Sequence, residues 1–369
     1  MTSQPLRANA KIAFSRVDDF LDDILASIAS HDMTVSREGT SFSISAPFGT
    51  ARLVPAHDEL QLSVEANEYS ALNRLKHALA GPITFIARSE NLDIVWDGDR
   101  TGPVLPSDLR VLRVAHIDDL TPRTRRITFT GENLERYAAD DQIHCRLLFQ
   151  PHGNTAPQWP LLNDDGKIVW PKSGQIPTRV YTIRRIDAAA GEIEIEFTLH
   201  QAAGPATRWA QAARVGDQVG ILGPAAYGPK PASWYVLAGD ETGLPGIARI
   251  LAGLPRAARG IAFIEIDHPD EEQNLIKPEE FILHWLHRDG AAPGTTTLLR
   301  DAIRTCEWPD DLATAFFWGG FEYQTFKDIH QFLRQEIGLP AGRRILHSHW
   351  RRGMSEEDIV AVGGDAISP

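Results

Sequence analysis

The chain has 369 residues, with 37 basic and 49 acidic side chains and a net charge of −12. At about 100–200 residues per domain this predicts two or three domains, and the acidic balance argues against broad electrostatic binding to nucleic acid or to anionic membranes. Two cysteines, Cys145 and Cys306, exclude a disulfide framework, a four-thiolate zinc site and an all-cysteine iron–sulfur cluster, so redox chemistry here calls for an organic cofactor or a His/carboxylate metal site.

Residues 1–100 predict a small α+β domain. Met1 to Arg16 holds no apolar core of the signal-peptide kind, and no run approaches 18 apolar residues, so a cytoplasmic location is expected. Val17, Phe20, Leu21, Ile24, Leu25 and Ile28 recur at helical spacing and predict a helix over 16–30. Alternation follows: Phe42, Ile44 and Ala46 share one strand face, and Leu60, Leu62, Val64 and Ala66 share another. Pro47-Phe48-Gly49 and His57-Asp58 read as turns. Leu72, Leu75 and Leu79 mark a second helix, and Leu92 to Trp96 a closing strand. The polar stretch Asp97 to Pro103 is the first expected linker.

Residues 105–231 read differently. Strand-like segments at 109–117, 125–130, 143–149, 179–185, 192–199 and 218–222 are separated by turn signals, with a long excursion over 150–177 and one short helix near 205–213. This pattern predicts an antiparallel β-barrel. From residue 232 to 369 the texture becomes α/β. Trp234 to Gly239 is a buried-strand run, Leu244 to Leu254 helical, Gly260 to Ile266 and Thr314 to Trp318 strand-like, and 321–337 helical. Such alternation implies a parallel sheet whose ligands sit at the carboxyl ends of the strands.

Four segments carry candidate chemistry. Arg179-Val180-Tyr181-Thr182-Ile183-Arg184 interleaves cations with an aromatic and a hydroxyl. Period-2 alternation puts Arg179, Tyr181 and Ile183 on one face and Thr182 and Arg184 on the other, suiting a flat ring and a phosphate, or else an ordinary barrel strand with exposed arginines. One strand later comes His200-Gln201-Ala202-Ala203-Gly204-Pro205-Ala206-Thr207-Arg208-Trp209. Gly204 permits an unusual turn and Pro205 suits a first helical position, so the amides at 205–207 would open an anion site, or form a plain helix cap. Ala238-Gly239-Asp240-Glu241-Thr242-Gly243-Leu244-Pro245 is a strand, a small-residue turn and a helix start without the G-x-G-x-x-G pattern, and its acids also suit simple caps. The terminal His347-Ser348-His349-Trp350-Arg351-Arg352-Gly353, with Arg343 and Arg344, is the densest basic cluster. It could face an anionic ligand or be a solvated tail; its two histidines lack a third metal ligand, and packing or solvent-facing roles suit them.

On these motifs, taken in order, residues 105–355 resemble the siderophore-interacting protein family, FAD-dependent ferric-siderophore reductases related to the ferredoxin–NADP reductases. Residues 8–97 resemble a small domain of unassigned function that is sometimes fused to it. The resemblance implies a flavin barrel followed by a nicotinamide-nucleotide domain, and FAD with NADH or NADPH as donor. It assigns Arg179, Tyr181, Thr182, Arg184, His200, Gly204, Pro205, Ala206, Thr207 and Trp350 to FAD. Asp240, Glu241, Thr242 and Glu322 fall to the nicotinamide nucleotide. Arg185, Arg351 and Arg352 are expected to collect an anionic ferric siderophore. No acid–base residue, resident metal, nucleic acid or membrane partner is expected. Glu265 and Asp267, at the end of the second α/β strand, lean toward NADH because an acid there accepts ribose hydroxyls and repels a 2′-phosphate. A different electron acceptor, or siderophore binding without turnover, are the alternatives.

Overall fold

The computed structural model describes residues 4–29, 33–100, 102–106, 108–200, 204–355 and 358–359. The chain forms two compact units, one of Met1–Leu109 with Ala156–Ile176, the other of Arg110–Thr155 with Pro177–Pro369. Among the described residues no helix is long and apolar enough to cross a membrane.

The first unit is α+β. Its strands are β1 (Leu6–Ala13), β2 (Thr34–Glu38), β3 (Ser41–Ala46), β4 (Gly49–Ala56), β5 (Glu59–Ala66) and β6 (Trp96–Gly98), with helices α1 (Val17–Ala29) and α2 (Tyr69–Ile86). They form one sheet in the order β2-β3-β4-β5-β1-β6. Strict alternation in β5 buries Leu60, Leu62, Val64 and Ala66 on one face, against Ile24 and Ile28 of α1 and Leu72, Leu75 and Leu79 of α2. The first strand was not apparent from the sequence, and the closing strand begins at Trp96, later than the apolar run at 92–96 suggested. Thr101, in the expected linker, lies outside the described residues, whereas Asp97 and Gly98 belong to β6.

The second unit opens with β7 (Arg110–Thr121), β8 (Thr124–Thr130) and β9 (Gln142–Phe149). The excursion at 156–176, with its short strands β10 (Leu161–Leu162) and β11 (Ile168–Val169), folds with the first unit. There Lys76, in α2 and 1% exposed, donates through Nζ to the carbonyls of Asp164 at 2.7 Å and Asp99 at 3.3 Å, and His77 Nδ1 lies 2.7 Å from the Gly166 carbonyl. Returning, the chain adds β12 (Thr178–Asp187), β13 (Glu192–Thr198), α3 (Pro205–Ala212) and β14 (Gln218–Tyr227), closing a barrel in the order β12-β13-β8-β7-β14-β9. Its interior is filled by Leu112, Ile127, Phe129, Leu147, Ile195, Phe197 and Ile221.

The same unit continues into an α/β sheet of β15 (Trp234–Gly239), β16 (Arg259–Ile266), β17 (Phe281–His287), β18 (Ala315–Glu322) and β19 (Arg344–Trp350), flanked by α4 (Leu244–Gly253), α5 (Leu298–Arg304) and α6 (Tyr323–Gln335). All four strand pairs are parallel, in the order β17-β16-β15-β18-β19. Strand order therefore reverses at β15, and the crevice beyond the carboxyl ends of β15 and β18 is where such sheets bind ligands. The amphipathic β17 and the basic β19 give no buried-strand run, so the sequence did not mark them as the two sheet edges.

Candidate functional site

On the barrel side, β12 carries the cationic–aromatic motif. The Tyr181 ring is half-buried, its centroid 4.6 Å from Phe197 and 6.4 Å from Phe149, and Thr182 is buried. The simple alternation predicted for this strand fails at its end. The ladder with β13 shifts register between Ile183 and Arg185, leaving Arg184 in a bulge. Arg184 is thereby aimed at Glu196, 3.4 Å away, which also takes a hydrogen bond from Arg126. Arg179 Nη1 donates to the Thr178 carbonyl at 2.7 Å.

Beside this strand, Gly204 caps α3 without a side chain, and a Cβ built on it would meet nothing within 4 Å. The first-turn amides of Ala206 and Thr207, two buried residues, lie at the positive end of the helix. Thr207 Oγ1 lies 3.2 Å from His200 Nε2 and donates to the Thr198 carbonyl at 3.4 Å, tying the helix start to β13. Gln201, Ala202 and Ala203 lie outside the described residues.

On the sheet side, Asp240 sits at the carboxyl end of β15 and is 6% exposed. Its Oδ1 accepts from the Thr242 amide at 2.8 Å and the Thr242 hydroxyl at 2.5 Å; its Oδ2 accepts from the Glu322 amide at 3.0 Å and Trp350 Nε1 at 2.9 Å. Burial pushes its pKa up, and these hydrogen bonds oppose the rise. Glu322 ends β18 and caps α6: Oε2 accepts from the Gln324 and Thr325 amides, and Oε1 from the Arg352 amide at 3.1 Å. Asp240 and Glu322 are thus fastened inward, joining β15, β18 and β19. The approach needs Gly243, whose Cβ would run into the Gly320 carbonyl. The two halves meet where Thr198 Oγ1 donates to the Glu241 carbonyl at 3.4 Å.

Glu265 and Asp267 do not offer themselves to a ribose. Arg288, with a fully buried side chain, bonds Glu241 and lies 3.6 Å from Glu265 and 4.0 Å from Asp267. Thr296 donates to Glu265 at 2.9 Å, and Arg123 of the barrel pairs with Asp267 at 2.6 Å. Burial raises the Glu241 and Glu265 pKa values against the opposing pull of Arg288. Engaged by arginines, these carboxylates do not favour NADH over NADPH. Arg185 is likewise paired on the barrel surface, with Glu194 at 2.8 Å and Glu192 at 3.6 Å. Arg351 lies 4.6 Å over the Tyr323 ring, and Arg352 is exposed.

Two features escaped the sequence. His347 and His349 are joined by His144 of β9, with ring centroids 5.0 Å and 5.5 Å from His144 and 5.9 Å from each other. Both ring nitrogens of His144, and Nε2 of His347 and His349, are buried without a hydrogen-bond partner. Burial drives the His347 pKa down to about 3 and that of His349 to about 4, with hydrogen bonds to the backbone of Tyr227 and Thr242 working the other way. His144 falls well below 6.5 through burial, then the neighbouring histidines and Arg249. Among the described residues no group of His, Cys, Asp or Glu has the geometry to hold a metal ion. The second feature is Arg249, the one charge in α4, which reaches across to the barrel. A charge isolated on an otherwise apolar helix was a readable signal for it; a lone histidine in a strand gave none for His144.

Residues 113–227 match the model of the siderophore-interacting FAD-binding domain, and residues 232–353 that of the siderophore-interacting protein. The ferric vibriobactin reductase ViuB of Vibrio cholerae is 30% identical over 237 residues, 63% of this chain and 85% of that protein. The chain belongs to the siderophore-interacting protein family. A siderophore utilization protein from T. fusca superposes with a TM-score of 0.61 at 38% identity, over 70% of this chain and 98% of that one. The siderophore-interacting protein SipS from Aeromonas hydrophila gives 0.59 at 28% identity, over 70% and 97%. Residues 9–97 match a domain described as an uncharacterized protein conserved in bacteria, DUF2218. In this family member the residues fit FAD: a half-buried tyrosine ring, a buried threonine beside it, and a side-chain-free Gly204 cap at a helix N-terminus of the kind that suits a pyrophosphate.

Proposed function

We propose that this protein is an FAD-dependent NAD(P)H oxidoreductase that reduces ferric siderophores and releases Fe(II). The observation that carries the reading is that one unit brings the Tyr181–Thr182 strand and the Gly204 start of α3 to the carboxyl end of β15, through Thr198 on Glu241 and Arg249 on Ile183. The similarity to a ferric vibriobactin reductase supplies the acceptor class. FAD held by these residues would supply a redox centre that couples the two electrons of a hydride to a one-electron acceptor such as Fe(III). Fe(III) is held by the hard anionic oxygens of the chelate more tightly than Fe(II), so reduction loosens the substrate.

Tyr181 and Thr182 would hold the flavin ring, with Arg179, Arg184, His200 and the Gly204–Thr207 turn on the phosphate side. Trp350, its indole fixed by Asp240, presents an oriented aromatic face at the crevice. Glu241 and Thr242 would border the nicotinamide nucleotide. Asp240 and Glu322 hold those groups in place, Asp240 with two donors on each oxygen and Glu322 by capping α6 and holding the Arg352 amide. Arg351 and Arg352 supply cations for an anionic chelate; Arg185 contributes less, being paired. Division of the larger unit near residue 231 into flavin and nucleotide domains belongs to the same reading, as does a cytoplasmic setting where NAD(P)H is regenerated.

The test is a visible absorption spectrum during anaerobic NAD(P)H titration, followed by a ferric siderophore with a ferrous chelator present. The flavin band should bleach with NADH or NADPH and return as Fe(II) is trapped. A chain that refuses FAD, or a bleached protein that ferric siderophores fail to reoxidise, sinks the proposal.

A further inference from the structure

Helix α4 begins two residues after Thr242 and runs along β15. Arg249 is its only charged residue. Its guanidinium is turned away from solvent and into the barrel: Nη1 donates to the Ile183 carbonyl at 2.8 Å and Nη2 to the Ala139 carbonyl at 2.8 Å. Ile183 follows Tyr181 and Thr182 directly, and it stands where the β12–β13 ladder shifts register. The bulge therefore does two things: it swings Arg184 onto Glu196, and it leaves the neighbouring Ile183 carbonyl to a donor from the sheet side.

A helix rises about 1.5 Å per residue and does not stretch, so a rigid rod of about 7.5 Å, from Leu244 just beyond the Thr242 turn to Arg249, joins that turn to the fork that grips the Tyr181–Thr182 strand. On the other flank, Glu271 accepts from the Thr121 hydroxyl and the Arg123 amide, and Asp267 pairs with Arg123. Those contacts lie at the β7–β8 turn, away from the cofactor strand. Arg249 alone among these fasteners touches that strand.

We infer that Arg249 is a positioning residue for hydride transfer, setting the spacing between the nicotinamide turn at Thr242 and the flavin strand at Tyr181–Thr182. The inference rests on the function proposed above. Hydride donors and acceptors must stand about 3–3.5 Å apart, and a misplacement of about 1 Å costs on the order of 100-fold in rate. The fork matters as much as the charge: Arg249 reaches the two carbonyls through two separate nitrogens of a rigid plane, Nη1 and Nη2, whereas a lysine would have to reach both from a single Nζ on a flexible stem.

Arg249→Lys and Arg249→Met decide the matter in the full chain. With FAD bound and NAD(P)H saturating, both should lower the rate of flavin bleaching tenfold or more, with FAD affinity within twofold of wild type and KM for the nucleotide little changed. In the FAD-free proteins, deuterium uptake at 137–141 and 182–186 should rise while the barrel interior stays protected. Arg249→Lys carries the test if Arg249→Met fails to fold. Wild-type bleaching rates in Arg249→Lys, slowing explained by weaker FAD binding, or unchanged uptake at both segments would each overturn the inference. A wild-type chain that takes up no FAD instead removes the functional reading on which it stands, a distinct result.

Discussion

Acid should weaken the barrel–sheet unit through its three buried imidazoles. His347 and His349 have pKa values of about 3 and about 4 in the folded chain, against a reference of 6.5. Between those values the unfolded chain binds more protons than the folded one, so stability rises with pH. The contribution is full above about pH 6.5, shrinks as pH falls, and is exhausted below the folded values. Worked from these shifts, each histidine costs roughly 2 kcal/mol at pH 5 and roughly 3 kcal/mol at pH 4. His144 adds in the same direction, because burial, the two neighbouring rings and the Arg249 charge all disfavour its cation. Asp240, Glu241 and Glu265 act oppositely, since burial raises their pKa values and the folded chain takes up protons first. The comparison must therefore be against a variant that removes only the imidazole titration. Urea unfolding of wild type and His347→Asn/His349→Gln at pH 7, 6 and 5 isolates it. Wild type should lose about 4 kcal/mol more than the double variant between pH 7 and pH 5. Equal losses in the two proteins would refute the reasoning.

Asp240→Asn should lower the thermal midpoint by several degrees. Either amide orientation sets its N–H groups against a main-chain donor, of Thr242 or of Glu322, and each buried donor left unpaired costs about 1–3 kcal/mol; an unchanged midpoint would count against Asp240 as the junction of three strands. In the first unit, Lys76→Met should free the 156–176 segment, because the Asp164 and Asp99 carbonyls lose their donor at a cost of about 1–3 kcal/mol. Limited proteolysis should then cut within that segment faster than in wild type, and an identical digestion pattern would show that Lys76 does not hold it.

Local patterns in the sequence located the barrel strands, the α/β alternation and the β5 face, because each follows from periodicity or turn chemistry over a few residues. The Tyr181 strand and the Gly204 turn were legible for the same reason. What the residues do with their polar atoms was not. The resemblance assigns Asp240 and Glu322 to the nucleotide, yet Asp240 accepts from donors 82 and 110 positions away and Glu322 caps the start of α6. Glu265 and Asp267 occupy the strand-end position that suggests a ribose, and only the fold brings Arg288 and Arg123 to them. The alternation of β12 was right until the bulge, which neither propensity nor pattern signals. His144 meets His347 and His349 through pairing over some 200 residues, beyond any local signal.

The excursion at 156–176 changes what an end-to-end division of this chain means. The backbone passes between the two units at 109/110, 155/156 and 176/177, so the amino-terminal unit is assembled from two stretches of sequence. Truncation at residue 100 would delete α2 and strand the Leu161–Leu162 and Ile168–Val169 hairpin without the helix it folds with. A nick between 100 and 110 would, conversely, leave the severed fragment held by Asn73, Lys76 and His77 to a segment still covalently part of the barrel. What reads as a removable appendage in the linear sequence is, in three dimensions, a graft.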